Sequence, residues 1–174
     1  LENILADVPN DAEAIAYLGR IYKEMWSESW KWITERDLRL QTAFDSYHWL
    51  IKSFETYLKG YRVDVRQTYP GVNALTLGEM LIYLADKYDD QQQPDPEIEW
   101  VRRLLPELRG ALLFALETLA QDEHVDFWTL ASLADLRVLT AEFTPQVTRA
   151  YRKALTASRR NQFYLTSSLG QLEI

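Results

Sequence analysis

Apolar residues recur every three to four positions along almost the whole chain, and the strict alternation of a half-buried strand is nearly absent. Pro9, Asn10 and Asp11 form a helix start, and Ile15, Leu18, Tyr22 and Met25 or Trp26 follow on one stripe. The first helix is therefore expected to end near residues 27 to 29. Residues 30 to 36, Trp-Lys-Trp-Ile-Thr-Glu-Arg, read as an enlarged turn. A long second helix is predicted from Asp37 to Val63 on Leu40, Phe44, Tyr47, Leu50, Ile51, Phe54, Tyr57 and Leu58. Tyr69-Pro70-Gly71 is expected to break the pattern, and Asn73 to start a third helix that ends near Lys87. Asp89 to Asp95 is the clearest loop. Pro96 suits the first turn of a fourth helix running to about Gln121, and Pro106 within it predicts a kink or a division after Leu105. Residues 126–141, 145–157 and 161–172 complete the helices.

These segments parse as three antiparallel helix pairs with a C-terminal capping helix, an all-α fold within one domain spanning residues 1–174. Leu18, Gly19 and Tyr22 have the Leu-Gly-x-x-Tyr spacing that opens a tetratricopeptide repeat, in which a small residue lets the partner helix approach. A right-handed stack follows from that likeness, each pair covering its neighbour's apolar face.

Composition narrows the chemistry. The chain has 174 residues, 47% of them hydrophobic, which suits a packed core rather than disorder. It has no cysteine, so disulfides, thiolate metal sites and thiol nucleophiles are excluded. A net charge of −7 argues against general nucleic-acid binding. No apolar run has the length needed to span a membrane. A cytoplasmic location is expected, and the start Leu-Glu-Asn-Ile suggests a piece of a longer, multidomain protein. Charge is unevenly spread: Arg149, Arg152, Lys153, Arg159 and Arg160 fall in a stretch without acids, while Asp86, Asp89, Asp90, Asp95, Glu97 and Glu99 gather around one loop. The first stretch is either a solvated basic face or a site for an anionic ligand or acidic partner.

The run Gly-Arg-Ile-Tyr-Lys-Glu-Met-Trp at residues 19–26, followed by Gly71-Val72-Asn73 before an apolar helix, resembles the tetratricopeptide-like TRAFs-binding region of the apoptosis signal-regulating kinases and its bacterial sensor-type relatives. The resemblance covers residues 12 to 88 well and continues more weakly through Asp126-Phe127-Trp128 and the C-terminal basic helices. It implies a regulatory sensor that binds a nucleotide, of an NAD-derived kind, and signals to a fused effector. The inserted Trp30-Lys31-Trp32 segment and the longer second helix depart from the kinase version, so the kinases' partners do not carry over.

Candidate ligand residues follow. Arg20 and Lys23 are three apart and can hold one phosphate or carboxylate, arginine in bidentate fashion; the alternative is a pair of exposed cations bonded to Glu24 or Glu13. Asn73 either caps its helix or faces a ligand beside the helix's first N–H groups. Tyr69 can stack or hydrogen-bond. Trp26 and Trp128 offer stacking faces, although tryptophans at helical spacing commonly belong to a core. Arg137, in an otherwise apolar helix, needs a partner or a groove. Arg159 and Gln162 can close one side of an anion pocket.

His48 and His124 are isolated, and neither a nucleophile elbow nor a P-loop appears, so no catalysis, metal or cofactor is expected. The expected partners are a nucleotide-type ligand and an effector, with Trp30 to Trp32 as a surface for self-association. The competing function is a scaffold whose groove takes a peptide or helix of another protein.

Overall fold

The computed structural model describes residues 11–89, 95–140 and 143–158, together with Gln162 and Thr166. Among these there are seven helices and no strand: α1 (Ala12–Glu28), α2 (Arg36–Asp45), α3 (Tyr47–Val63), α4 (Thr68–Tyr88), α5 (Pro96–Leu119), α6 (Phe127–Leu139) and α7 (Thr144–Ala157). The all-α expectation holds. The chain divides into two compact units, Leu1–Leu108 and Arg109–Ile174.

In the first unit α1 starts on Asp11, whose Oδ1 accepts the N–H groups of Glu13 and Ala14 at 2.9 and 3.0 Å. This cap satisfies two donors that the first turn leaves without a helical partner. Contacts between α1 and α3 run in opposite sequence order, Ala12 near Gly60 and Gly19 near Tyr57, so the two helices are antiparallel. A Cβ on Gly19 would lie 2.9 Å from Tyr57 Cγ, closer than two carbons can approach. Glycine is thus required where the Tyr57 ring crosses α1, as the repeat-like spacing anticipates. Ser53 pins the same crossing by donating its hydroxyl to Gly19 O at 2.7 Å.

The predicted second helix is two helices, α2 and α3, parted at Ser46. Ser46 leaves helical geometry at φ −101° and ψ 19°. Its hydroxyl donates to Thr42 O at 3.0 Å, while Ala43 O receives the Trp26 indole N–H at 2.9 Å. Carbonyls at the end of α2 thereby gain side-chain donors, Thr42 O in addition to the Ser46 N–H at 3.2 Å, and such side-chain bonds compete with helix continuation.

The Tyr69-Pro70-Gly71 break does not occur. Helix α4 already begins at Thr68, so Pro70 is its third residue. The N–H groups of a first turn have no helical acceptor, and proline's missing donor costs nothing there. Asn73 therefore lies in the second turn rather than at the cap. Phe54 of α3 meets the site of Gly78 in α4, and Gly60 meets Pro70, which makes this pair antiparallel too. The start of α5 joins the unit through Trp100, edge-on to Phe54 at 5.6 Å, and through Arg102, whose guanidinium contacts Asp86 at 2.6 Å. Helix α5 stays continuous through the exposed Pro106, so the expected division after Leu105 is not seen.

In the second unit Asp126 caps α6 by accepting from Thr129 N at 2.9 Å. Phe127, Leu130 and Ala131 of α6 form a small core with Ala154 of α7. Tyr151 donates its hydroxyl to Asp135 at 2.7 Å, which together with the Ala154 contact makes α6 and α7 antiparallel. Most of the expected capping helix at 161–172 lies outside the described residues. Gln162 and Thr166 within it are helical and exposed, with Thr166 Oγ1 donating to Gln162 O at 3.0 Å.

Candidate ligand-binding site

The helix packing brings the two sequence strings together. Lys23, on the turn of α1 after Gly19, reaches across to α4, and its Nζ lies 3.4 Å from Asn73 Oδ1. Asn73 is buried, and its Nδ2 donates back to Tyr69 O at 3.0 Å. The amide is thus oriented with its oxygen toward the ammonium, and Asn73, inside the helix that starts at Thr68, does not cap it. Tyr69, partly exposed, packs edge-on against the fully buried Tyr57 with ring centres 6.2 Å apart. Burial raises the Tyr57 phenol well above its ordinary range, so it stays neutral. Its buried hydroxyl has no hydrogen-bond partner of normal geometry; the Tyr69 phenol and the charges of Arg20 and Glu24 are the groups that act on it.

Arg20 sits on the open side. Its Nε donates to Glu24 at 2.8 Å with both side chains more than half exposed. That bond is the main cause of its raised pKa. A pair of this kind, four residues apart and in water, contributes only about 0.3–0.5 kcal/mol, so an incoming anion can take the arginine from Glu24 at little cost. The exposed-pair alternative therefore describes Arg20, while Lys23 follows a different course.

Lys23 is half-buried, and burial, reinforced by the neighbouring Arg20 charge, brings its pKa down to about 8 from 10.5. The Glu24 charge opposes the shift without cancelling it. A neutral-pH fold that keeps this ammonium charged is destabilised by on the order of 3 kcal/mol relative to a solvated lysine. The sign is fixed by which state holds the proton. Between about pH 8 and the ordinary lysine value the unfolded chain binds more protons, so this group's destabilisation fades as pH rises through that window. Lys23→Met is accordingly expected to raise stability at neutral pH by about 1–2 kcal/mol, after about 1 kcal/mol is lost with the Asn73 contact. Urea unfolding of both proteins checks this, and a less stable variant would show that the ammonium is not a burden on the fold.

Trp26 is buried, its indole committed to Ala43 O and its ring set edge-on to Trp30 at 5.1 Å. It belongs to the core and presents no face to a ligand. Trp32, by contrast, is 77% exposed. Trp128 and Arg137 belong to the second unit: Trp128 is partly exposed and edge-on to Phe127 at 5.1 Å, and Arg137 lies 3.5 Å from Glu117. Arg159 is outside the described residues. Sequence reasoning missed Tyr57, whose helical spacing marks it as an ordinary core aromatic; only the unpartnered hydroxyl, visible in three dimensions, sets it apart.

Among the described residues no helix is long and apolar enough to cross a membrane, and no group of three or more His, Cys, Asp or Glu could hold a metal ion. No curated protein and no solved structure matches the chain. The family model described as Tetratricopeptide Repeats-Sensor matches residues 1–78. That span runs through α1, α2 and α3 into α4 as far as Gly78, and so takes in Arg20, Lys23, Tyr57, Tyr69 and Asn73. In its N-terminal part, where the polar cluster lies, the chain is therefore similar to the sensor type of tetratricopeptide repeat.

Proposed function

We propose that the chain is a regulatory sensor domain whose first unit binds a small anionic ligand, a nucleotide, and passes the binding event to an attached effector. One observation carries the reading: the half-buried Lys23 ammonium, lowered in pKa and 3.4 Å from a buried amide oxygen, has the Arg20 charge as its neighbour, and that same charge acts on the buried Tyr57 hydroxyl. A fold gains nothing from that combination by itself. A phosphate gains from all of it. Its charge offsets the desolvated Lys23, Arg20 turns to it from Glu24, and its oxygens can accept the hydroxyl of the exposed Tyr69. The exposed Tyr69 ring offers a face to a base. The NAD-derived class of nucleotide follows from the sensor-type resemblance. Signalling then requires only that the liganded arrangement of α1 and α4 differ in free energy from the empty one.

Calorimetric titration of the whole chain with ADP-ribose, ADP and inorganic phosphate tests the proposal. Saturable nucleotide binding supports it; no binding of any of the three ends it and leaves the peptide-scaffold reading. Proton linkage supplies a sharper signature. A bound phosphate restores the lysine toward its ordinary pKa, so binding above pH 8 must take up a proton. Affinity should be nearly level up to about pH 7 and fall about tenfold by about pH 9. Tyr57 stays neutral and the arginine charged across this range, leaving the ammonium as the titrating group on the protein's side. Binding that does not weaken over the interval would remove Lys23 from the contact.

A further inference from the structure

The second unit contains a cleft of about 330 Å³ formed by the end of α5 with α6 and α7. Three cations face it from two helices, Arg137 on α6 and Arg149 and Lys153 on α7, while Glu117 brings the one opposing charge among the lining residues. Two of the cations are already positioned. Lys153 Nζ donates to Ala120 O at 2.9 Å, and Arg137, whose side chain is largely covered, is 3.5 Å from Glu117. That separation is long for a guanidinium–carboxylate hydrogen bond, which is ordinarily about 2.7–2.9 Å. Arg149 is exposed at the mouth. Leu130, Leu133, Ala120 and Ala150 supply an apolar floor.

We infer that this cleft is a second anion site, distinct from the Lys23 cluster, and that it takes a small organic phosphate with an apolar body. The volume is at the lower end of small-ligand pockets. The cations leave two positive charges after Glu117 is counted, the charge of a phosphate monoester dianion. The arginines provide planar donor pairs for its oxygens, and the leucine and alanine floor covers a compact ring or acyl group. Carboxylates share part of this chemistry, yet a monocarboxylate would leave one of the cations uncompensated.

The test uses the whole chain and phenyl phosphate, with inorganic phosphate and benzoate as comparison probes, followed by calorimetry and by amide NMR shifts. Phenyl phosphate is expected to bind more tightly than either comparison probe, with shifts concentrated in α6 and α7. Arg149→Gln should weaken it about tenfold, the scale of one charged hydrogen bond. Glu117→Gln should tighten it, because it removes the competing carboxylate; a cluster of merely structural charges would not respond in that direction. Arg20→Ala with Lys23→Met should leave this binding unchanged, which separates failure here from failure of the first-unit proposal. No phenyl phosphate binding, shifts confined to the first unit, or equal affinity in wild type, Arg149→Gln and Glu117→Gln would each overturn the inference.

Discussion

Phe54→Ala is expected to destabilise the first unit by about 4 kcal/mol, the range seen when a large buried aromatic is truncated. Phe54 is fully buried in α3, touches the Gly78 position of α4 and meets the edge of Trp100 from α5. Its removal therefore opens a void where three helices meet. The void is hard to close. Gly78 has no side chain to move into it, and Leu105, which also lies against the Gly78 position, is itself buried. Since whole domains are commonly stable by about 5–15 kcal/mol, a large share of the total would be lost. Thermal unfolding should show a midpoint lower by roughly 15–30 °C. A change of only a few degrees would mean that the three helices repack around the gap and that this junction is softer than its burial implies.

Arg20→Ala combined with Lys23→Met is expected to lower nucleotide affinity by two to four powers of ten, on the basis of about 1.5–3 kcal/mol for each charged hydrogen bond. The two positions act differently, which makes the single variants informative. Arg20 must first leave Glu24, so its loss removes a contact that is partly offset in the free protein. Lys23 is pre-set by Asn73 and gains from ligand charge with little rearrangement, so Lys23→Met alone should account for the larger part. Because that variant is expected to be at least as stable as the natural chain, lost binding could not be ascribed to unfolding. Retained affinity in the double variant would detach nucleotide binding from this cluster.

Much of this was legible in the residues. The three-to-four spacing gave α1, α6 and α7 within a few positions, and Gly19 was readable as a close-approach residue because the Leu-Gly-x-x-Tyr pattern carries that meaning. Proline misled where its position within a turn mattered more than its presence: Pro70 falls in a first turn and Pro106 on an exposed helix position. The split at Ser46 has no local signature, because one of its bonds comes from Trp26, seventeen residues away in sequence, reaching Ala43 O. For the site, the cations and Asn73 were visible as types, yet the charge state of Lys23 and the unsatisfied Tyr57 hydroxyl arise from burial among three helices. Spacing along one helix cannot report that.

Helix α5 runs unbroken past the boundary between Leu108 and Arg109. No linker exists at that point, which bears on any attempt to study the halves apart. A cut there would strip partners from the last four carbonyls of one fragment and the first four amides of the other. Fragments meant to stand alone would need to share α5, each carrying the full Pro96–Leu119 segment, or the dissected pieces would report on frayed ends instead of on ligand recognition.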